Sequence, residues 1–328
     1  MNDYKPPYET TEDITYLVAE ICELIGSINV LHGDSINPHL RRENRIRTIH
    51  SSLAIENNTL TLDQVTDIIN GKRVLGNPNE IKEVKNAYAA YELMLQLDPE
   101  SVEDLLRAHK LMMSGLVDDN GKFRSEAVGI YAGKTLVHMA PPAKYVSGQI
   151  KDLFKWYTQS ELHPLIKSAV FHYEFEFIHP FMDGNGRMGR MWHSLLLGQW
   201  REVFLWLPME ELIQSRQQEY YDALGQADRS GTSTEFVKLM LEIIKDSLAE
   251  IKMNTDQVTD QVSDQVKKLI NVLGDDVLSA SELMNQLGLS HRATFRKNYL
   301  NPALEVGLIE RTVPDKPTSR NQKYRKIK

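Results

Sequence analysis

One stretch of this 328-residue chain, I-H-P-F-M-D-G-N-G-R-M-G-R at positions 178–190, carries side chains that could act on an anionic substrate. His179 titrates nearest to neutrality and is the candidate general base. Asp183 is a candidate ligand for a hard cation such as Mg²⁺, because a carboxylate beside phosphates commonly shares the ion with the substrate oxygens. Arg187 and Arg190, three residues apart on one helical face, can each donate two hydrogen bonds to phosphate oxygens.

The backbone around these side chains is predicted to form an anion-binding turn. Apolar residues recur at near-helical spacing up to Ile178, Pro180 and the glycines interrupt that pattern, and residues 191–197 resume it. This order predicts a helix–loop–helix elbow, whose second helix begins with unpaired backbone N–H groups. Gly184 and Gly186 allow turn conformations and close approach of a ligand, which is typical of a phosphate cradle.

Taken singly, most of these residues have a structural explanation. A histidine before a proline is more often structural than catalytic, and G-N-G is more often only a turn. The ordered combination of a base, a carboxylate, Gly-Asn-Gly and two arginines is hard to explain by packing. Phe181 is the exception, since an aromatic ring between His179 and Asp183 is predicted to fill the core and anchor the loop.

The stretch H-P-F-M-D-G-N-G-R-M-G-R resembles the Fic family signature, H-x-F-x-(D/E)-G-N-G-R-x-x-R, and matches it at every fixed position. The resemblance implies a mostly α fold, a Fic-type helical bundle with a short β-hairpin flap. It also implies a nucleotidyltransferase that moves AMP from ATP to a Ser, Thr or Tyr hydroxyl of a target protein. In that scheme His179 deprotonates the hydroxyl and Asp183 holds Mg²⁺. The motif residues it assigns to the nucleotide are Asp183, Gly184, Asn185, Gly186, Arg187, Met188, Gly189 and Arg190.

A flap is predicted from the texture of A-V-G-I-Y-A-G-K-T-L-V-H-M-A-P-P, where β-branched residues and glycines indicate a hairpin. In the family a hairpin here lies across the active site and aligns the target backbone. By position, its contact segment is Leu136, Val137, His138 and Met139.

Tyrosines and histidines outside the motif are further candidates. Tyr220 and Tyr221 resemble the family's tyrosines near the nucleotide base; Tyr220 is the better candidate, and simple packing explains Tyr221 equally well. Asp228 stands where several relatives place an asparagine near the nucleotide, which leaves that contact open. His109 and His138 lie in no metal-ligand spacing, so His109 is assigned to the core or surface and His138 to the flap.

An internal inhibitor is predicted from S-S-L-A-I-E-N-N. Ser52 and Glu56 are four residues apart and share a helical face, and an acid near a helix end needs a partner other than the dipole. The segment resembles the family's inhibitory motif, (S/T)-x-x-x-E-(G/N), matched by Ser52, Glu56 and Asn57. In the family this glutamate pairs with the second arginine of the signature, here Arg190. The alternative is a surface glutamate at a coincidental spacing.

Helical periodicity, caps and composition divide the chain into four predicted regions. An N-terminal helical region, 1–100, contains the inhibitory helix at about 44–57. The catalytic core follows at 101–250, then a helical linker at 251–266 and a small winged helix-turn-helix domain at 267–328.

The linker and tail differ in character from the rest of the chain. The repeat T-D-Q-V-T-D-Q-V-S-D-Q-V places Val258, Val262 and Val266 on a drifting apolar stripe, which predicts a helical spacer or a self-association seam of a homodimer. Residues 267–328 hold 12 basic and 6 acidic residues, whereas the whole chain carries a net charge of −7. Their order of helix, turn and strand resembles the winged helix carried by many bacterial Fic proteins.

Basic side chains on the predicted recognition helix and wing are the electrostatic footprint of a duplex-DNA backbone binder. Docking of another protein is an equal alternative for such a domain. The basic residues are Arg292, Arg296, Lys297, Arg320, Lys323, Arg325 and Lys326.

Composition places the chain among ordinary soluble proteins, with 41% hydrophobic and 25% charged residues. It has no apolar run of membrane-spanning length and no hydrophobic signal region, so no membrane partner is expected. A single cysteine, Cys22, excludes an intramolecular disulfide framework and fits a reducing cytosol. A cytoplasmic bacterial protein is expected.

Three functions from different classes are left open. The first is an AMP transferase inhibited by Glu56, with removal of AMP by the same residues as a variant. The second is a phosphotransferase of the death-on-curing branch, which carries lysine where Gly186 stands here. The third is a DNA-binding regulator whose Fic domain senses nucleotide, and it requires that His179 be dispensable.

Overall fold

The protein is described from a computed structural model, which covers residues 4–32, 38–132, 135–261, 264–274, 276–305, 308–314, 316 and 319–327. Side chains within 29–39, 130–138 and 254–264, and at 305, are left out of the description. Within the part of the chain that is covered, no helix has the length and apolar character needed to cross a membrane.

Helices build most of the larger of two compact units, which comprises Met1–Ile25 and Glu43–Leu248. The helices with residues in this unit are α1 (Glu12–His32), α2 (Pro38–Ile55), α3 (Leu62–Ile69), α4 (Pro78–Met94), α5 (Val102–Met112), α6 (Ala143–Gln159), α7 (Pro164–Ile178), α8 (Asn185–Trp200), a 3₁₀ turn (Glu202–Leu205), α9 (Met209–Ser215), α10 (Gln217–Ser230) and α11 (Thr234–Gln261). The predicted mostly α fold is confirmed.

Side chains cap the first turn of two of these helices. At the start of α3 the Thr61 hydroxyl accepts the Gln64 N–H at 3.3 Å, and the Gln64 side chain accepts the Thr61 N–H at 2.9 Å. This reciprocal pair is a capping box. At the start of α5 the hydroxyl of Ser101 accepts a backbone N–H at 3.1 Å.

Helix α2 ends at Ile55, because Asn57, two residues later, adopts a left-handed conformation with φ 68°. The turn is closed by two bonds to carbonyls of the last helical turn, from the Asn57 N–H to Ala54 at 3.0 Å and from the Asn58 N–H to Leu53 at 3.1 Å. Asparagine tolerates this conformation better than most residues other than glycine. The stop fixes Glu56 at the end of α2.

Helices α7 and α8 form the centre of this unit because they are apolar on nearly every side, and such a helix belongs in the interior. Phe171 and Phe175 of α7, Trp192 of α8 and Phe181 between them are at most 1% exposed. Phe154 of α6 packs edge-on against Phe171 with the ring centroids 5.2 Å apart. The loop that joins α7 to α8 therefore rises from a packed core.

A two-stranded antiparallel hairpin, β1 (Gly129–Ala132) and β2 (Thr135–Met139), lies between α5 and α6 in the chain. Gly129 pairs with Met139 and Ile130 with His138, and the register shifts after Ile130. The predicted hairpin is confirmed, and His138 belongs to it.

The second compact unit comprises Gly26–Arg42 and Ala249–Lys328. A three-stranded antiparallel sheet, in the order β3 (Leu278–Ser279), β5 (Lys323–Lys326) and β4 (Ile309–Arg311), packs with short helices around a buried apolar core. This core includes Leu269, Phe295 and Tyr324. Val266 also lies in this core, 1% exposed, whereas the side chains of Val258 and Val262 fall outside the described residues, so the seam stays a prediction. Its elements are α12 (Asp264–Leu273), β3 (Leu278–Ser279), α13 (Ala280–Gln286), α14 (Arg292–Phe295), a π-helical turn (Arg296–Leu300), α15 (Asn301–Glu305), β4 (Ile309–Arg311) and β5 (Lys323–Lys326).

Candidate active site

Two left-handed residues shape the elbow between α7 and α8. His179 caps α7 with φ 48°, and its N–H bonds the Phe175 carbonyl at 3.0 Å. Gly184 precedes α8 with φ 83°, and a Cβ at this position would lie 2.7 Å from the sulfur of Met113. Both the backbone conformation and the close approach therefore require glycine. The predicted helix–loop–helix elbow is confirmed, with α8 beginning at Asn185.

The loop of the elbow is braced from within by Asn185. Its side-chain oxygen accepts the Phe181 N–H at 2.8 Å, and its side-chain nitrogen donates to the Phe181 carbonyl at 2.9 Å. Phe181 is fully buried, which confirms its predicted place in the core. The Asn185 amide is thus engaged with the loop, and its contact with phosphate stays a prediction.

His109 supports the loop from α5. Its Nδ1 accepts the Gly121 N–H at 2.9 Å, so Nε2 carries the proton and donates to the Asp183 carbonyl at 3.0 Å. Its ring stacks on that of Phe181 with the centroids 3.6 Å apart. Burial lowers the pKa of His109 to about 4, which keeps the ring neutral near pH 7. Sequence reasoning placed His109 in the core or at the surface and did not find this link.

Arg187 is held between two carboxylates. Its guanidinium donates to Asp183 at 3.0 Å and to Glu83 of α4 at 3.2 Å. The other oxygen of Glu83 accepts the side-chain amide of Asn58 at 2.8 Å, so Glu83 connects the turn after α2 to α8. Glu83 lies 104 residues from Arg187 in the sequence, and no motif pointed to it.

Arg190 is held by the segment predicted to inhibit. It is 2% exposed and donates to the Glu56 carboxylate at 2.8 Å, to the Ser52 hydroxyl at 3.2 Å and to the Ser52 carbonyl at 3.0 Å. A Cβ at Gly186 would clash with the same Glu56 oxygen, so the carboxylate lies at the first turn of α8. Burial lowers the pKa of Arg190, but the Glu56 carboxylate together with Tyr220 and Glu176 outweighs this and holds the pKa above its ordinary value. The predicted pair of Glu56 and Arg190 is present.

Two residues of the signature lie on the inner face of α8. Met188 is fully buried, and its N–H is bonded to the Gly184 carbonyl at 3.0 Å. Gly189 faces inward, where a Cβ would clash with the Glu176 carboxyl. The nucleotide contacts predicted for Met188 and Gly189 stay predictions.

The tyrosine pair of α10 divides between the interior and the surface. Tyr220 is 1% exposed, and its hydroxyl lies 3.1 Å from Nε2 of His172. The predicted preference for Tyr220 at the nucleotide base stays a prediction. Tyr221 is 46% exposed and is the member of the pair that a ligand can reach. Asp228 of the same helix accepts a hydrogen bond from the Tyr173 hydroxyl at 3.0 Å.

In the flap, Leu136, Val137 and His138 lie on β2, but their side chains are outside the description. Met139 ends the strand and is 58% exposed. The contact assigned to this segment stays a prediction.

A buried carboxyl, Glu176, lies one turn before His179. It is 8% exposed, and one of its oxygens is 3.7 Å from Nε2 of His172. Burial raises the pKa of Glu176 to about 7, although His179 and Arg190 act to lower it. Burial lowers the pKa of His172 to about 3, so between about pH 3 and pH 7 the two groups are neutral neighbours and not an ion pair.

The raised pKa of Glu176 predicts that the stability of the protein depends on pH. The variant Glu176→Gln should remove this dependence. The folded protein binds the Glu176 proton more tightly than the unfolded chain, so the stabilisation is full below pH 4.5 and is lost as the pH rises towards 7. Between pH 5 and pH 8 the wild type should lose about 2–3 kcal/mol of unfolding free energy relative to Glu176→Gln. Urea unfolding of both proteins at four pH values measures this, and parallel pH dependences would contradict it.

The sequence and the fold of this chain are similar to those of known proteins. Residues 99–197 match the family model described as Fic/DOC family, and residues 264–326 match the model described as Filamentation induced by cAMP protein Fic-like, C-terminal domain. A crystal structure of a Fic family protein from Desulfovibrio desulfuricans G20 is 54% identical, covers 98% of each chain and superposes with a TM-score of 0.75. Fic-1 from Caenorhabditis elegans, at 23% identity and a TM-score of 0.59, shares the fold over 76% of each chain.

Curated relatives point to the same group. A protein adenylyltransferase fic-1 of C. elegans is 27% identical over 65% of this chain and 42% of its own length. A protein adenylyltransferase Fic of Nematostella vectensis is 28% identical over 61% of this chain and 47% of its own length. The chain thus spans less than half the length of these two relatives.

The elbow, the two arginines and the carboxylates that pair with them define a helical domain with a charged turn at the start of a buried helix. Together with the 54% identity over nearly the full chain, this is sufficient to assign a family. The chain belongs to the Fic family.

Proposed function

We propose that this protein transfers AMP from ATP to a hydroxyl side chain of a target protein and that Glu56 restrains the reaction. The observation that carries the proposal is the Glu56 carboxylate, which lies on Arg190 at the first turn of α8, 2.8 Å from the guanidinium. The chain thereby presents its own anion where a helix N-terminus and a buried arginine favour a phosphate. The relatives named protein adenylyltransferase support this reading.

In the proposed reaction His179 takes the proton of a target Ser, Thr or Tyr hydroxyl. The hydroxyl oxygen bonds to the α-phosphorus of ATP, the bond from that phosphorus to the bridging oxygen breaks, and pyrophosphate leaves. Negative charge grows on the leaving group, where Arg187, Arg190 and the N–H groups at the start of α8 can stabilise it. Positioning and electrostatics thus supply most of the catalysis.

Mg²⁺ fits the donor set of this site. Among the described residues no three histidine, cysteine or carboxylate side chains gather into a metal site. Asp183 is a single carboxylate, and 56% of its side chain is exposed. Mg²⁺ is commonly bound by one or two carboxylates with substrate phosphates and water, so Asp183 and the phosphate oxygens of ATP would hold the ion. When bound, it would neutralise charge on the triphosphate.

Restraint by Glu56 follows from competition for Arg190. The Arg190 guanidinium already donates hydrogen bonds to Glu56 and Ser52. The terminal phosphate of ATP therefore cannot pair with Arg190 while Glu56 stays in place. ATP can then bind only in a pose unsuited to in-line attack. The resting protein is expected to be nearly silent.

Labelled ATP separates the proposed activity from its alternatives. Wild type and Glu56→Gly are incubated with ATP labelled on the α-phosphate and, separately, on the γ-phosphate, and label on protein is counted. Transfer from the α-position alone supports AMP transfer, and transfer from the γ-position alone identifies a phosphotransferase. No transfer from either position in Glu56→Gly would contradict the proposal and favour a nucleotide sensor. Loss of AMP from a pre-labelled protein identifies the reverse activity.

Duplex DNA is a second candidate partner, which the second unit would bind as a winged-helix domain. Arg292, Arg296 and Lys297 are all exposed along the helical run 292–305, where a recognition helix would present them to phosphates. Lys323 and Lys326 on β5 are exposed as well. Arg325, on the same strand, is paired with Glu310 at 2.5 Å, and Arg320 lies before the strand.

Replacement of Arg292, Arg296 and Lys297 by alanine should weaken DNA binding and flatten its salt dependence. Each lost phosphate contact lowers the slope of log K against log salt by about 0.9, so the triple variant should lose about 3. Fluorescence anisotropy of a labelled duplex at several salt concentrations measures both quantities. Lys267→Ala/Lys268→Ala, which removes exposed charge from α12, is the control. Equal binding by both variants would contradict DNA recognition by the 292–305 helix.

A further inference from the structure

Arg124 directs every hydrogen bond found for it at a backbone carbonyl. The residue is 3% exposed. Its own N–H bonds the Pro180 carbonyl at 2.9 Å, and its Nε bonds that of His179 at 2.8 Å. Nη1 bonds the Glu126 carbonyl at 2.8 Å, while Nη2 bonds those of Pro141 at 2.5 Å and Ile178 at 3.2 Å.

Three of these carbonyls, from Ile178, His179 and Pro180, are consecutive and lie where α7 ends. The last carbonyls of a helix have no partner within it, and a cation is favourable beside them. His179 has a left-handed backbone, which costs a residue other than glycine on the order of 1–3 kcal/mol and persists only where the surroundings hold it. The hydrogen bonds from Arg124 fix the backbone on both sides of His179.

The remaining two carbonyls belong to the flap. Glu126 lies just before β1, and Pro141 lies just after β2, so one guanidinium joins both ends of the hairpin. The same group therefore links the base of the hairpin to the backbone of His179.

We infer that Arg124 is a positioning residue, which holds the His179 imidazole at a fixed place relative to the hairpin that presents the acceptor. This inference rests on the proposed function, because it assumes that His179 acts on a hydroxyl aligned by the flap. Arg124 needs no contact with ATP for this role, since its donors are directed at carbonyls. Its loss should therefore slow the chemical step and leave nucleotide binding unchanged.

The test compares Arg124→Met and Arg124→Lys in the Glu56→Gly background. The rate constant for auto-modification at saturating ATP should fall about 10²-fold in Arg124→Met, the scale expected for a misplaced catalytic group. The ATP concentration that gives half the maximal rate should stay the same. Arg124→Lys, which keeps the charge and part of the bonding, should recover some of the rate.

A second measurement does not depend on transfer. In histidine-labelled protein, the imidazole signals of His179, assigned with His179→Ala, should shift or broaden in Arg124→Met, whereas those of exposed His291 should not. Arg45→Met is the control for loss of a buried arginine, since Arg45 is 4% exposed and stacks on Tyr91 and Trp206 away from these carbonyls. It should change stability without changing the His179 signals.

The outcomes separate this inference from the proposed function. An inactive Glu56→Gly parent would refute AMP transfer, and the His179 signals alone would then decide the role of Arg124. A folded Arg124→Met with the rate of its parent, or with unshifted His179 signals, overturns the inference. If Arg124→Met does not fold, Arg124→Lys is judged by the same criteria. If neither folds, Arg124 sustains the fold, and a positioning role is overturned.

Discussion

Glu56→Gly is expected to raise the rate of AMP transfer about 10²-fold at saturating ATP, the scale on which a misplacement of roughly 1 Å changes an enzymatic rate. In the resting protein Glu56 and Ser52 take the Arg190 donors, and the Glu56 carboxylate covers the first turn of α8 at Gly186. Removing the Glu56 side chain frees the Arg190 donor that it accepts from and the space above Gly186, while the bonds to Ser52 remain. Auto-modification with α-labelled ATP is the direct measurement.

Two matched variants separate charge from space. Glu56→Gln keeps the size of the side chain but not its charge, so it should give a rate between those of wild type and Glu56→Gly. Glu80→Gln changes another acid near the turn, one that accepts the Thr59 N–H at 2.9 Å, and it should behave as wild type. A Glu56→Gly protein that transfers AMP at the wild-type rate would refute restraint by Glu56.

Release of Glu56 acts on a turn that is also tied to the other arginine. Glu83 bonds Asn58 with one oxygen and Arg187 with the other, and the Asn58 side-chain oxygen accepts the Leu60 N–H at 3.1 Å. Because Glu56→Gly leaves these bonds in place, the turn should keep its position while the Arg190 contact is lost. Activation is therefore expected without unfolding of α2.

The features that the sequence predicted well are governed by short-range chemistry. The elbow follows from a break in helical periodicity and from Gly184, whose left-handed backbone few other residues adopt. The end of α2 follows from Asn57 in the same way, and this places Glu56 on Arg190 once the motif is recognised. In each case a few neighbouring residues contain the information.

The features that the sequence missed depend on partners far away in the chain. Which tyrosine of α10 faces inward is decided by His172, 48 residues earlier, and adjacent positions on one helix carry no signal of this. The Arg124 bonds go to carbonyls, which every residue has, so no side-chain pattern marks them. His109 could be assigned only to the core or the surface, because its two partners are also backbone groups.

His179→Ala is expected to lower AMP transfer about 10²–10⁴-fold, the usual effect of losing a general base, while ATP binding stays intact. The elbow should survive the change because the backbone of His179 makes the supporting bonds, from its N–H to Phe175 and from Arg124 to its carbonyl. The anion site is formed by α8, Arg187 and Arg190, none of which needs the imidazole. Rates are measured in the Glu56→Gly background, and ATP binding by calorimetry.

The control for backbone strain is His179→Asn, since asparagine adopts the left-handed conformation of this position more readily than alanine does. If the imidazole is the base, both variants should be equally slow, and both should bind ATP as their parent does. If backbone strain causes the loss, His179→Asn should recover the rate, because it restores the elbow without restoring a base. In the double variant with Glu56→Gly, Glu56 no longer pairs with Arg190. If this protein does not transfer AMP, the defect therefore lies in proton transfer and not in access of the nucleotide to the site. Transfer at the parental rate in either variant would remove His179 from the mechanism.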